Sequence, residues 1–378
     1  MLNAHVYPST LKHESRMLRV TRALAVSGQF SAIEMVGISS DGLPERYPLD
    51  MHRQIVRLPL SCGKTGTSDW SKVFRLLEWS LRLCLYFRHR PVACLNAHSL
   101  TALPACAVIS HWHNALLIYD PHELETESTN SIGIRKVLAK VVERLLVQHC
   151  DAVFVVSDSI ADWYQLRYGI PRPTVIRNFS ESLATLSPDR VERRSRLCLR
   201  NDAVTFIYQG GIMHGRGVER LLRLFARLPQ HDLLLLGDGP LTPLIQGAAT
   251  KFPNIHHHPA VDPEVLLDYT RCADVGLCLT EAVCLSYAYS LPNKLFEYLA
   301  AGLPIVISDL PEQAQFVSAR SCGWIAPSDD ESLLALLGSI SHQTLAKPRL
   351  AALQTARECN WSNEAARMLD VYRTLSHV

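Results

Sequence analysis

The sequence predicts an α/β chain with two parallel, doubly wound sheets, on three observations. Short β-branched or leucine-rich runs alternate with stretches of helical period along almost the whole chain. The rhythm restarts near the middle, and 378 residues are enough for two domains of ordinary size. Such alternation specifies parallel sheets with helices on both faces and ligands at the carboxyl ends of the strands.

In the first half, apolar runs place strands at 2–7, 32–38, 92–97, 115–119, 152–156 and 174–176. Helical periodicity falls at 15–27, 71–87, 100–109, 132–148 and 159–168. Residues 91–119 hold no Asp, Glu, Lys or Arg, yet contain three histidines, two asparagines and two prolines. Two buried strands flanking a helix account for them better than a membrane span. The stretch 178–201 is polar, lacks a strand pattern and marks the boundary. Beyond it, strands fall at 204–209, 233–237, 255–259, 275–279 and 304–308, with helices at 218–227, 241–251, 264–272, 294–301 and 331–339.

Composition narrows the function. Apolar residues are 48% and charged residues 20%, which excludes disorder and collagen. A net charge of +2 excludes a dedicated nucleic-acid binder. Eleven cysteines without a C-x-x-C pair or zinc spacing point to reduced thiols, and the start lacks the pattern of a signal peptide, so a cytoplasmic protein is expected.

Several motifs fail on inspection. Gly63-Lys64-Thr65 would end a P-loop, but position 58 is Leu where Gly is required. Neither the Gly210–Gly215 run nor Gly237-Asp238-Gly239-Pro240 fits G-x-G-x-x-G, which weakens a nicotinamide dehydrogenase. His256-His257-His258 lies on a strand whose side chains alternate, so the three cannot converge on a metal. His111 and His113 share one face of an extended segment with no carboxylate nearby in sequence. The basic aromatic helix 72–90, with Arg75, Trp79, Arg82, Tyr86, Phe87, Arg88 and Arg90, reads as a domain helix with a solvated face, the alternative being a helix resting on an anionic membrane.

The most informative segment is Ser290-Leu291-Pro292-Asn293-Lys294-Leu295-Phe296-Glu297. Pro292-Asn293 starts a helix and Gly302 ends it. Lys294 and Glu297 share the helix face nearest its N-terminus, where a cation beside free N–H groups suits phosphate oxygens and a carboxylate suits a diol. This segment resembles the donor-site motif of GT-B glycosyltransferases of the retaining, glycogen-synthase-like group 1 class. In that family the residue matching Glu297 binds ribose hydroxyls of a nucleotide sugar.

A second resemblance runs from Tyr208 to Val218, the family's first loop of the C-terminal domain. There Gly210 and Gly211 let the backbone approach a diphosphate and Arg216 pairs with it. The turn at Gly237–Pro240, with Gly239, resembles the one bordering the nucleotide. Tyr119-Asp120-Pro121-His122-Glu123 resembles the motif whose histidine, here His122, reaches the transferred sugar. Lys12-His13-Glu14-Ser15-Arg16 looks like an acceptor-side loop, with Glu123 added to that side. Tyr289 stands where many relatives have an acidic residue, eight positions before Glu297.

The resemblance implies two Rossmann-like domains facing across a cleft, an acceptor side over 1–180 and a donor side over 200–360, with 361–378 returning as a helix to the first. It implies a retaining, hexosyl-type transferase with His122, Arg216, Lys294 and Glu297 as catalytic residues. Gly210, Gly211, Arg216, Gly239, Asn293, Lys294 and Glu297 would bind the donor. No cofactor and no metal are implied: the donor is a nucleoside-diphosphate sugar, UDP by family default and GDP as the alternative. The acceptor would be a glycan or lipid-linked glycan of bacterial surface polysaccharide synthesis, with peripheral contact at the inner leaflet of the membrane and no nucleic acid. Two enzyme alternatives stay open, a nucleotide-sugar epimerase using His122 and Glu123 and a dinucleotide oxidoreductase. A non-catalytic nucleotide-binding protein, suggested by Tyr289, is the third.

Overall fold

The computed structural model describes every residue except 13, 62–68, 130–132, 181–188 and 377–378. His13 and the Gly63-Lys64-Thr65 motif therefore lie outside the described residues. The chain divides into two compact units, one made of 1–176 with the segment from Glu364 onward, the other of Arg177–Asn363.

The first unit runs β1 (Leu2–Val6), α1 (Ser15–Ser27), β2 (Ala32–Ile38), β3 (Arg46–Pro48), β4 (Arg53–Leu58), α2 (Asp69–Phe87) and β5 (Cys94–Ala97). It continues through α3 (Leu103–His113), β6 (Leu116–Tyr119), α4 (Gly133–Val147), β7 (Ala152–Val155), α5 (Asp158–Tyr168) and β8 (Thr174–Val175). Its sheet has the order β3-β4-β2-β1-β5-β6-β7-β8, parallel except for the β3–β4 pair. The uncharged stretch 91–119 forms β5, α3 and β6, as its composition predicts. Among the described residues no helix is long and apolar enough to cross a membrane. His111 and His113 fall in the last turn of α3 rather than on an extended segment, and His113 Nε2 donates to the Phe87 carbonyl at 2.8 Å.

The second unit runs α6 (Arg190–Arg196), β9 (Thr205–Gln209), α7 (Val218–Phe225), β10 (Asp232–Leu236), α8 (Thr242–Ala249), β11 (Ile255–His258) and α9 (Pro263–Thr270). It continues with β12 (Val275–Cys278), α10 (Leu285–Ala288), α11 (Asn293–Ala300), β13 (Ile305–Ser308), α12 (Pro311–Arg320), β14 (Gly323–Ala326), α13 (Asp330–Ser339) and α14 (Ala346–Glu358). Its sheet, β11-β10-β9-β12-β13-β14, is parallel throughout. β9 and β10 are buried at every residue, which is why they read as unbroken apolar runs rather than alternating ones. The polar stretch at 178–201 is not all linker: α6 lies within it, and its buried Arg194 donates to the carbonyls of Cys272 and Arg200.

The last helix, α15 (Trp361–Ser376), packs into the first unit. Tyr372 is buried, donates its hydroxyl to Asn96 Oδ1 on β5, and meets Phe30 and Phe154 at ring separations of 6.1 and 6.0 Å.

Candidate active site

In the second unit, polar residues gather where β9, β10 and β12 end. Gly210 has φ +113° and donates its N–H to the Leu236 carbonyl at 2.9 Å. Gly237 has φ +141°, and a Cβ there would sit 2.1 Å from the Gly210 carbonyl oxygen. A Cβ on Gly239 would sit 2.2 Å from the Ile212 carbonyl oxygen. The two strand-end loops therefore lie backbone against backbone, an approach open to glycine alone. Gly211 is exposed, and its carbonyl accepts the Tyr208 hydroxyl at 2.7 Å.

Against this platform stands the start of α11. Pro292 precedes its first turn and supplies no side-chain cap, and Asn293 is exposed there. Lys294 Nζ lies 3.7 Å from the centre of the Tyr208 ring, a cation–π contact, and within 3.8 Å of where a Gly210 Cβ would be. Burial pushes the Lys294 ammonium down to about 8, with Cys278 and Glu297 opposing that shift and Arg216 adding to it. The Arg216 guanidinium rests 4.2 Å over the Tyr287 ring. Two cations are thus held on aromatic faces beside the glycine loop.

Glu297 accepts from Gln209 Nε2 at 2.5 Å. Gln209 Oε1 in turn accepts the Thr270 hydroxyl at 2.8 Å, and the Gln209 N–H donates to Tyr298 Oη at 2.9 Å. The carboxylate one turn into α11 is thereby oriented from β9. The sequence motif includes Tyr208 and Gln209 but gives them no role, and Thr270 and Tyr287 carry no signal in it. The available signal was Gln209 itself, a polar residue closing an apolar strand. Tyr289 is half-buried just after α10.

In the first unit, the ends of β1, β5 and β6 bring together a second constellation. His98 Nδ1 lies 3.1 Å from His122 Nε2 and 3.3 Å from Asp120 Oδ2, while its Nε2 is 2.8 Å from His5 Nδ1. These ligand atoms of His98, Asp120 and His122 are close enough together to hold a metal ion, but Asp120 is already engaged by a cation. Arg16 is buried on α1, donates to Asp120 at 2.7–3.1 Å and to the Ile176 carbonyl at 2.8 Å. Burial pushes the His122 imidazole down to about 3, so it is neutral at physiological pH.

His122 opens on a cavity of about 330 Å³ that also touches Tyr7, Ser99, Thr101, Glu123 and Glu125. The Glu125 carboxyl accepts the Leu100 N–H at 3.1 Å, and burial, reinforced by Glu143 and Glu123, pushes it up to about 8. Of the run expected on the acceptor side, Lys12 is exposed, Glu14 accepts the Ser9 hydroxyl at 2.8 Å, and Arg16 turns inward to Asp120. His5 and His98 were not singled out from sequence, because each reads as one polar residue in or beside an apolar strand.

The Arg16–Asp120 pair makes a testable contribution to stability. Burial favours the neutral acid, but Arg16 and then His98 outweigh it and hold Asp120 well below the usual carboxylate range. A carboxyl depressed in the fold gives stability that is present above its unfolded value of about 3.9 and lost as pH falls towards the folded value. Arg16→Ala should cost about 3–5 kcal/mol at neutral pH by stranding the buried carboxylate. Asp120→Asn should flatten the loss of stability below about pH 4. Denaturant titrations across that range check both.

A family model described as "Glycosyl transferases group 1" matches residues 203–340, and one described as "Glycosyl transferase 4-like domain" matches 14–178. With two Rossmann-like units and this strand-end chemistry, the chain belongs to the group 1 glycosyltransferases of GT-B fold. It is similar to the phosphatidyl-myo-inositol mannosyltransferase of Mycolicibacterium smegmatis, 28% identical over 159 residues, 41% of this chain and 40% of that protein. The match thus spans well under half of that relative. Among solved structures, sucrose-phosphate synthase from Thermosynechococcus elongatus superposes with a TM-score of 0.78 at 18% identity, covering 100% of this chain and 99% of that one. HepE of Anabaena, solved with UDP and glucose, superposes at 0.75 with 13% identity and covers 100% of both chains. These structural likenesses are of fold.

Proposed function

We propose that the protein transfers a sugar from a nucleoside-diphosphate sugar to a hydroxyl of a glycan or lipid-linked acceptor, with retention at the anomeric carbon. The observation that carries this reading is the pairing of Lys294 and Arg216 with the Gly210–Gly237 backbone platform, beside a Glu297 held in place by Gln209. As the bond between the anomeric carbon and the diphosphate oxygen breaks, negative charge grows on the leaving group. The two cations and the free N–H groups of α11 stabilise it where it develops. Glu297 would accept hydrogen bonds from the ribose diol. The anomeric carbon forms its new bond to the acceptor oxygen, whose proton passes to the departing phosphate. His122, neutral and bordering its cavity, would touch the transferred sugar. UDP is the first candidate for the leaving group and GDP the second, a hexose the expected cargo, and surface polysaccharide synthesis the expected setting. The charge stabilisation described needs no metal.

The test is the melting temperature of the protein with UDP, GDP, CMP, ADP and NAD, each with and without magnesium. A ligand at a hundredfold excess over its dissociation constant stabilises the native state by about 2.7 kcal/mol. A shift with one nucleoside diphosphate, magnesium or not, is the expected result and names the base. A shift with NAD alone, or with none of the five, overturns the reading.

A further inference from the structure

Behind the cavity of the first unit three histidines stand in a row. β1, β5 and β6 are adjacent and parallel, so His5 near the end of β1, His98 just past β5 and His122 just past β6 are delivered side by side. His5, His98 and Asp120 are buried, and His122 is half-buried. The rings meet nitrogen to nitrogen, His5 Nδ1 with His98 Nε2 at 2.8 Å and His98 Nδ1 with His122 Nε2 at 3.1 Å. Each such contact holds one proton, so fixing the tautomer of one ring fixes those of its neighbours.

Asp120 makes the choice. Its carboxylate is pinned by the Arg16 guanidinium, which reaches both oxygens, and its Oδ2 lies 3.3 Å from His98 Nδ1. An ionised carboxylate can only accept, so the nitrogen facing it carries a proton; a bare nitrogen there would set lone pair against lone pair. That proton lies between Asp120 and His122 Nε2, which makes Nε2 an acceptor. His122 is neutral at physiological pH, and a neutral imidazole with a bare Nε2 has its proton on Nδ1.

The far end of the row gives an independent check. His5 Nε2 is buried and has no hydrogen-bond partner among the described residues. With the His98 proton on Nδ1, His98 Nε2 accepts from His5 Nδ1–H, and the orphan is a bare nitrogen. The reversed order of protons would leave an orphaned N–H there, the rarer of the two in folded proteins.

We infer that Arg16, Asp120 and His98 are positioning residues that hold His122 as its Nδ1–H tautomer, so that the ring offers its cavity a hydrogen-bond donor and no base. Nδ1 is the nitrogen left for a ligand, because Nε2 is taken by His98. Its partner is therefore an acceptor oxygen, which on a nucleotide sugar is a hydroxyl or ring oxygen of the sugar. A nitrogen that already carries its proton takes none from a hydroxyl, so His122 does not supply the base that a nucleotide-sugar epimerase would need. The identity of the ligand rests on the glycosyl-transfer reading, whereas the tautomer does not.

Long-range proton–nitrogen correlation NMR on the ligand-free full chain, with isotope-labelled histidine, reads the tautomer directly. His122 is assigned by the signal lost in His122→Gln. The expected result is a protonated Nδ1 and a bare Nε2; the opposite assignment, or a doubly protonated ring at neutral pH, overturns the inference. His98→Leu leaves Arg16 and Asp120 paired, and should release His122 into a mixture of both tautomers. Its kcat should fall about tenfold, the size of one hydrogen bond lost, with KM changed by less than about twofold. His98→Asn places an amide N–H where Nδ1 stood, and should restore the single tautomer and most of the turnover that His98→Leu loses. A merely structural His98 would leave the His122 tautomer the same in both variants, and that result overturns the inference, as does full activity in His98→Leu. The parent spectrum decides whether or not His98→Leu folds. A parent that shows the expected tautomer yet transfers no sugar from any nucleotide sugar sinks the transferase reading and leaves the positioning of His122 intact.

Discussion

Lys294→Ala should lower turnover of the nucleotide sugar by about 10²–10³-fold, the usual consequence of removing one group that stabilises charge developing on a leaving group. The substitution takes a cation from the aromatic face of Tyr208 and from the mouth of the Gly210 loop. A pH signature should accompany it. Lys294 is pushed down to about 8, chiefly by burial, so its charge is lost as pH rises past that value. Affinity for a nucleoside diphosphate should fall over the same interval in the parent protein, and Lys294→Arg should flatten the fall. Stability should move the other way. The unfolded chain binds more protons than the folded one between about 8 and 10.5, so burial of Lys294 makes the ligand-free fold more stable as pH climbs through that window. Lys294→Met should therefore gain about 1 kcal/mol at neutral pH while remaining inactive. Steady-state kinetics, calorimetric titration with the diphosphate and thermal melts separate the three effects.

Glu143→Ala should destabilise the first unit by about 3–5 kcal/mol, since it strands a set of buried hydroxyls, each costing about 1–3 kcal/mol when left unpaired. The four donors to Glu143, Tyr119, Tyr164, Tyr168 and Thr126, are all buried, so solvent does not replace the lost acceptor. Burial, the largest cause holding the Tyr119 and Tyr164 hydroxyls well above their ordinary values, outlasts the substitution, so neither sheds its proton to escape the loss. Glu143→Gln keeps one acceptor oxygen but aims an amide donor at the same hydroxyls, and should cost about half as much. Chemical denaturation followed by near-ultraviolet tyrosine signals measures both. The result expected in hydrogen exchange is selective: α4 should lose protection before the sheet does.

Reading the sequence recovered those elements whose signal is local. The strand at 32–38 and the helix at 15–27 have the bounds the sequence predicts, because continuous apolar runs and a clean helical stripe are visible without partners. β4 was missed because Arg53 and Arg57 interrupt its apolar run. In the fold Arg53 is met by Asp50 and Arg57 by the carbonyls of Thr10 and Pro44. α14 was missed because Pro348 argues against a helix, yet it sits in the first turn, where its absent N–H has no partner to lose. The same division holds at the candidate site. Lys294 and Glu297 are legible together because helical spacing places them on one face. His5 and His98 meet from positions 93 apart, and Gln209 reaches Glu297 across 88, separations that no periodicity encodes. The outward turn of α4, which leaves Ile134, Leu138 and Leu145 exposed, was hidden for a further reason: an amphipathic pattern gives the same moment whichever way the helix is rotated. The same holds for α2, whose outer side, expected as a solvated polar face, instead exposes Phe74, Leu77, Leu81 and Leu85.

The closing helix α15 has a consequence for how the protein is made. The first unit takes its sheet from residues 1–176 but receives Tyr372 only after the intervening 177–363 unit has been translated. A nascent chain on the ribosome therefore reaches its middle with Asn96 lacking the Tyr372 hydroxyl and with Phe30 and Phe154 uncovered. The later unit, contiguous in sequence, can close first. The order of completion thus runs against the order of translation: the earlier segment of the first unit keeps an unfinished apolar face until α15 has been made.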